Sequence, residues 1–188
     1  MYSFIFQKWK YFKIRFRIFW WGKLFSFIGE NTRVLGKITV SFPSNIKIGE
    51  GSTLNEGVLL NARASLEIGN FVHISSYCII NTGGLDYSEL MDKRRHVTEP
   101  IVIKDGVWLG SGVIINPGVI IGRNSVIGAG AVVVKTVLAY ALVVGNPAKQ
   151  IGWMSEFGHR LNFDADGFAV CPEGKEKYEL KDGEVKKV

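Results

Sequence analysis

Cysteine is nearly missing. Only Cys78 and Cys171 occur in 188 residues, and neither has a CxxC or Cys/His neighbour at ligand spacing. That argues against a disulfide framework or a structural zinc site and makes a reducing compartment, the cytoplasm, the expected address. Histidine is also scarce, at three, with no HxxxxH pair, so no metal is expected. No uncharged apolar run approaches the roughly eighteen residues that a membrane-spanning helix needs. Near the N-terminus, Lys8 to Arg17 interrupt any apolar segment of the secretory-signal kind, and no small-residue cleavage site follows. Glycine is plentiful at 22 but has no Gly-X-Y period, which excludes a collagen-like chain.

What is present is unevenly spread. The composition, 47% hydrophobic and 21% charged, suits one domain with a sizeable core. The net charge of +6 belongs wholly to the head: residues 1–33 hold seven basic side chains and one acid, leaving sixteen of each sign elsewhere. The body therefore has no electrostatic footprint for nucleic acid. Twelve of the 23 aromatic residues fall in "YSFIFQKWKYFKIRFRIFWWGKLFSFIG". Aromatic and basic residues interleaved in this way suit the headgroup boundary of an anionic membrane. Residues 1–27 read either as such a peripheral contact with the inner membrane face or as a helix capping the core. The pattern does not separate the two, because Lys10, Lys13 and Arg17 share a helical face while "KIRFRIF" alternates as a strand would.

Beyond the head the chain keeps time. Ile103, Leu109, Ile115, Ile121, Ile127 and Val133 fall six residues apart, and four positions after each comes Val107, Val113, Val119, Ser125, Ala131 or Val137. Upstream, Ile48, Leu54, Leu60 and Leu66 keep the same interval, and after a two-residue slip it resumes at Ile68, Ile74 and Ile80. A period of six fits neither a 3.6-residue helix nor an open sheet. It fits a solenoid whose units are flat sides, three to a coil of about eighteen residues, with the aliphatic pointing inward and glycine or asparagine at the corners. Residues from about 28 to 138 make some five coils. The expected organisation is an aromatic/basic segment (1–27), a solenoid domain (28–151) with a loop over 83–100, and a C-terminal extension (152–188).

The stretch "PIVIKDGVWLGSGVIINPGVIIGRNSVIGAGAVVVKTVLAYALVVGNPAKQI", residues 100–151, resembles the hexapeptide-repeat acyltransferases. The VWLG, IGAG and GNPAK elements in order carry that likeness. It implies an all-β fold, a left-handed parallel β-helix, and a homotrimer that binds acetyl-CoA between adjacent prisms. The head is closer to surface-polysaccharide acetyltransferases, whereas "YALVVGNPAKQIGWMSEFGHRLNF" and the final tail look more like nucleotide-sugar N-acetyltransferases of diamino sugars. The resemblance implies donor contacts at Trp108, Gly110, Ser111, Ala129, Lys135 and Lys149. One element departs from the pattern: the usual Lys-Asp-(Ile/Val)-Pro reads Lys135-Thr136-Val137-Leu138.

A second departure falls in the interrupted coil, "NTGGLDYSELMDKRRHVTEP", residues 81–100. In polysaccharide acetyltransferases of this kind the loop begins Thr-Gly-Ser-His-Asp-Tyr, and its histidine takes the proton from a sugar hydroxyl. Imidazole suits that task because its ordinary pKa lies near neutral. Here Leu85 stands in that place. The ends of a loop that leaves and rejoins one coil must lie close together, so His96, near the returning end, is the first candidate for the base. His73, expected outward at a coil corner, is the second. Asp86 or Glu99 could orient the imidazole, Asn61 could hold an acceptor hydroxyl, and Lys93-Arg94-Arg95 form a basic run.

The expected function is acetyl-CoA-dependent acetylation of a sugar hydroxyl or amine in surface-polysaccharide or lipopolysaccharide biosynthesis. Two alternatives stand beside it. One is N-acetylation of a nucleotide-linked amino sugar; the other is a trimeric scaffold that has lost its base. A metal-dependent prism resembling the γ-type carbonic anhydrases would need the histidine pair that this chain lacks.

Overall fold

The structure, a computed structural model, describes residues 19–86 and 95–188. Residues 1–18 of the aromatic/basic head, and Lys93 and Arg94 of the basic run, lie outside the described residues. The core of the chain is a β-helix whose three walls are parallel sheets. The first wall stacks Phe27–Ile28, Ile46–Ile48, Leu66–Ile68, Ile101–Ile103 and Ile120–Ile121. In the second, Arg33–Val34, Thr53–Leu54, His73–Ile74, Trp108–Leu109, Val126–Ile127 and Ala141–Val144 follow one another. The third stacks Thr39–Ser41, Leu59–Asn61, Ile79–Asn81, Ile114–Ile115 and Val132–Val133.

The six-residue beat is the interior of this prism. Ile103, Leu109, Ile115, Ile121, Ile127 and Val133 are all buried, and so are Val107, Val113, Val119, Ser125, Ala131 and Val137. Like stacks on like: Ile103 pairs with Ile121, Leu109 with Ile127 and Ile115 with Val133, each eighteen residues on. Fully burying such side chains stabilises the fold by about 1.5–3 kcal/mol apiece.

The early coils are longer than the beat suggests. Ile48 pairs with Ile68, Leu54 with Ile74 and Leu60 with Ile80, all twenty residues apart. The two-residue slip is thus a property of each early coil and not a single fault. The extra residues sit at the third corner, where the third wall turns into the first. In the first coil that corner holds Phe42 at φ 58° and the 3-10 turn Pro43–Asn45; in the second it holds residues 62–65. In the next coil the same corner opens into the excursion between Asn81 and Ile101. Side chains knit the three levels together. The Asn45 amide donates to the Ala62 carbonyl at 2.9 Å, and the Ala64 N–H donates to the Thr82 hydroxyl at 2.9 Å.

At one end of the prism a helical turn over residues 19–22 precedes the first coil. It lays Trp21 and Phe25 on the core, stacked with centroids 5.2 Å apart. At the other end Lys149–Met154 and Arg160–Leu161 continue the second wall antiparallel. The tail then forms its own antiparallel sheet of Phe168–Val170, Lys177–Lys181 and Glu184–Lys187. This sheet closes over a second core of Tyr140, Leu161, Ala169, Cys171, Tyr178 and Val185.

Candidate active site

The excursion leaves the third corner as a hairpin, Gly83–Leu85 against His96–Thr98, with Leu85 directly opposite His96. The Glu99 N–H donates to the Thr82 carbonyl at 2.9 Å, and the Asp86 N–H to the Arg95 carbonyl at 2.9 Å. Those bonds flank the Leu85–His96 pair, which is therefore a non-hydrogen-bonded cross-strand pair, the closer kind, with both side chains on one face. Histidine thus stands across the ladder from the position where the family pattern puts it. His96, Leu85, Gly83 and Gly84 line an open pocket of about 370 Å³ whose far side is Asn61 and Arg63. The His96 ring makes no hydrogen bond among the described residues and is free to face a ligand. Asp86, one position past Leu85, turns to the opposite face of the hairpin. The Glu99 carboxylate lies against Gly118, on the next coil's corner.

His73 is outward-facing, as expected, but it lies within a second-wall strand and not at a corner. Its Nδ1 is 2.9 Å from the Thr53 hydroxyl, and its wall neighbour is Trp108. The hydroxyl commits one ring nitrogen of His73, which His96 does not share.

Trp108, Gly110, Ser111 and Ala129 gather along the edge between the second and third walls. The exposed Trp108 ring is held by its Nε1–H donating to the Ser75 hydroxyl at 3.2 Å. Gly110 has no positive φ; it is glycine because a Cβ would fall 2.6 Å from the Ala129 nitrogen. The corner glycines with positive φ are its neighbours Gly112 and Gly130. Ser111 accepts the Gly130 N–H at 2.9 Å, while the N–H groups of exposed Ser111 and Ala129 donate to nothing among the described residues. Two open amides on a rigid edge can bind a carbonyl or stabilise a developing oxyanion. Beneath them Cys78 is spent on structure: its thiol donates to the Gly110 carbonyl at 3.1 Å, and burial pushes its pKa up. Lys149, exposed, pairs with Val144 one coil beyond Ala129. Lys135, also exposed, lies two residues past Val133 at the opposite edge of the third wall, apart from the other five.

Within one chain the two groups do not meet. The donor-type edge lies at the start of the third wall and the His96 pocket at its end. Sequence reasoning missed Arg63, Thr53 and Ser75. Only Arg63 had a signal, since it falls in the two-residue slip. A larger groove of about 750 Å³ runs along the first wall beside the Glu184–Lys186 part of the tail, lined by charges such as Lys47, Glu67 and Arg123. It holds none of the predicted site residues. Among the described residues no cluster of three His, Cys, Asp or Glu side chains could hold a metal ion, and no helix is long and apolar enough to cross a membrane.

Known proteins share this fold. Residues 100–135 match the family model for the bacterial transferase hexapeptide (six repeats). A hexapeptide-repeat acetyltransferase from Vibrio cholerae O1 biovar eltor, complexed with acetyl coenzyme A, is 31% identical, with TM-score 0.68 over 72% of this chain and 74% of that one. A maltose O-acetyltransferase from Clostridium difficile 630 is 33% identical, with TM-score 0.68 over 72% and 73%. An N-acyltransferase from Bacillus cereus, a mutant in complex with dTDP and coenzyme A, shares the fold at 22% identity, with TM-score 0.56 over 70% and 85%. A search of the curated proteins found no match. The class is that of the left-handed β-helix acyltransferases. This chain belongs to the hexapeptide-repeat acetyltransferases within it.

Proposed function

We propose that the chain is an acetyl-CoA-dependent sugar acetyltransferase of surface-polysaccharide or lipopolysaccharide assembly, with His96 as general base. The observation that carries this reading is the Leu85–His96 pair, which returns an imidazole to the pocket beside Asn61. His96 accepts the proton of the acceptor hydroxyl as its oxygen attacks the acyl carbon, and Asn61 holds the acceptor. When bound, acetyl-CoA supplies the thioester. The residues of the donor edge suit it: a flat indole at Trp108, open N–H groups at Ser111 and Ala129, and the Lys149 cation for phosphate. Proton transfer to a positioned base contributes about 10²–10⁴ in rate.

The site is assembled by a homotrimer. Along the third wall the outward side chains include the half-buried apolar Leu59, Ile79, Ile114 and Val132, beside the uncharged polar Thr39, Ser41, Asn61 and Asn81. The outward residues of the first wall include Lys47 and Glu67, and those of the second include Arg33 and His73. The third wall is therefore the face best suited to pack against copies of itself. A cyclic head-to-tail arrangement sets the starting edge of one wall against the finishing edge of the next. That brings Trp108, Ser111 and Ala129 of one chain to the hairpin of its neighbour, and Lys135 back toward the donor.

The protein works in the cytoplasm, with residues 1–27 as a peripheral contact at the inner membrane face. An amine acceptor on a nucleotide-linked sugar is the second reading, favoured by the tail's resemblance to the nucleotide-sugar N-acetyltransferases. The test is incubation of purified protein with acetyl-CoA and each acceptor class, read as the mass gain of one acetyl group. Transfer to a sugar hydroxyl is expected. Transfer to amino sugars alone selects the second reading, and acetyl-CoA binding with no transfer to any acceptor leaves a scaffold.

A further inference from the structure

The two ends of the prism are finished differently. The tail end is covered by a sheet edged with Lys and Glu side chains. At the other end the helical turn buries Phe25 and leaves Phe19, Trp20, Leu24 and Phe27 exposed at 59%, 56%, 46% and 57%. Phe42, on the third corner of the same coil, is 47% exposed and holds a left-handed backbone. In sequence, residues 1–18 precede Phe19 and carry seven aromatic side chains, five cations and no acid. An apolar rim with Lys23 set over the Phe19 ring at 4.5 Å, in a chain whose preceding segment is cationic and aromatic, matches one kind of surface, an anionic lipid headgroup layer.

The rim is joined to the pocket through one side chain. The Arg63 guanidinium lies over the Phe42 ring at 5.6 Å, and its Cδ lies 3.0 Å from where a Cβ on Gly83 would fall. Arg63 is thus held between the first coil and the hairpin and lines the pocket with Asn61 and His96. Among the described residues no carboxylate pairs with it. A guanidinium with its fork uncommitted is suited to a phosphate.

We infer that this end of the prism docks on an anionic membrane with its long axis upright, and that Arg63 anchors the phosphate of an acceptor sugar carried on a membrane lipid. The sugar half of the inference rests on the acetyl-transfer reading above, and the docking half deepens the peripheral membrane contact proposed there. Coils rise by about 4.8 Å each, so the pocket stands roughly 5–10 Å above the rim. The hydroxyl acetylated is then on a sugar next to the lipid phosphate. In the trimer three rims face the same side and bind together, multiplying a weak contact.

The test uses the full chain. Co-sedimentation with phosphatidylglycerol-containing vesicles should exceed that with pure phosphatidylcholine vesicles by about tenfold or more and fall with salt. Trp20→Ser with Phe27→Ser should weaken it by about tenfold with thermal midpoint, oligomeric mass and turnover of a water-soluble acceptor kept. Arg63→Gln should raise KM for a polyprenyl-phosphate-linked sugar by about tenfold while KM for acetyl-CoA and vesicle binding stay, and Arg63→Lys should recover part of the loss. Equal binding to neutral and anionic vesicles, or a rim variant that binds as before, overturns the docking. So does a rim variant that changes oligomeric mass instead, which would assign the rim to a second copy. Faster turnover of a nucleotide-linked than of a vesicle-borne sugar overturns the lipid acceptor. Vesicle binding is read without acetyl-CoA, so its failure is distinct from failure of acetyl transfer.

Discussion

Two histidines compete for one role, and their neighbours separate them. His73 is tied to Thr53, whereas His96 faces the pocket with both ring nitrogens open among the described residues. His96→Ala is expected to lower kcat by about 10²–10⁴, and His73→Ala by less than about tenfold, in steady-state assays of thiol release. Because Leu85 is the cross-strand partner, Leu85→His in the His96→Ala background should return about tenfold or more of the lost rate. Gly110→Ala tests the donor edge. Its Cβ would meet backbone of the next coil, so denaturant midpoints should register about 1–3 kcal/mol of lost stability, with a raised KM for acetyl-CoA. The repeat made legible that Trp108, Ser111 and Ala129 face outward at that corner, whereas their assignment to a donor rests on the family resemblance alone. The Leu85–His96 pairing was only half legible. Closure of the loop brought His96 near, but the register is set by antiparallel bonds that no periodicity records.

At the scale of elements, the third corner and the tail were the least legible. A two-residue slip looks like one fault in a linear reading, because only strand pairing reveals that each early coil carries it. The tail has no repeat at all. Its sheet is held by non-local contacts: the Tyr140 hydroxyl donates to Glu156 Oε1 at 3.0 Å, Lys187 Nζ lies 2.7 Å from Glu156 Oε2, and the Glu156 N–H donates to the Tyr178 hydroxyl at 3.1 Å. Tyr178 is fully buried, so Tyr178→Phe strands that N–H and should cost about 1–3 kcal/mol by chemical denaturation. The Lys187 hydrogen bond holds the Glu156 carboxyl below its ordinary 4.5, and the same contact raises Lys187 above its ordinary 10.5. The depressed carboxyl contributes stability above pH 4.5 that is lost as pH falls through its lowered value. The raised ammonium contributes stability below pH 10.5 that is lost only as pH rises through its raised value. Docking of the tail should therefore be level through neutral pH and weaken on the acid side, followed by emission of Trp153, which packs on both cores.

Over the whole molecule, the prism was legible because one interior position repeats through every coil, and a solenoid stacks what repeats. The assembly follows from the faces of that prism. If the proposed trimer packs on this wall, Ile114→Arg, among its outward aliphatic side chains, should reduce the solution mass from three times 20.9 kDa toward one, read by light scattering. Turnover should vanish with it, because the proposed site draws its donor edge and its hairpin from neighbouring chains.

The uneven coil has a further meaning for how such a chain can diversify. Successive strands at the third corner meet in register whether the intervening path is eighteen, twenty or thirty-five residues long. Length can be added there without disturbing a single interior neighbour, whereas at the Gly110 edge the next backbone leaves no room for even one methyl group. On the proposed assignment of acceptor and thioester sides, evolution can redraw the first by insertion while the second stays fixed, so new acceptor specificities should arise as changes of path length at one corner of an unchanged column.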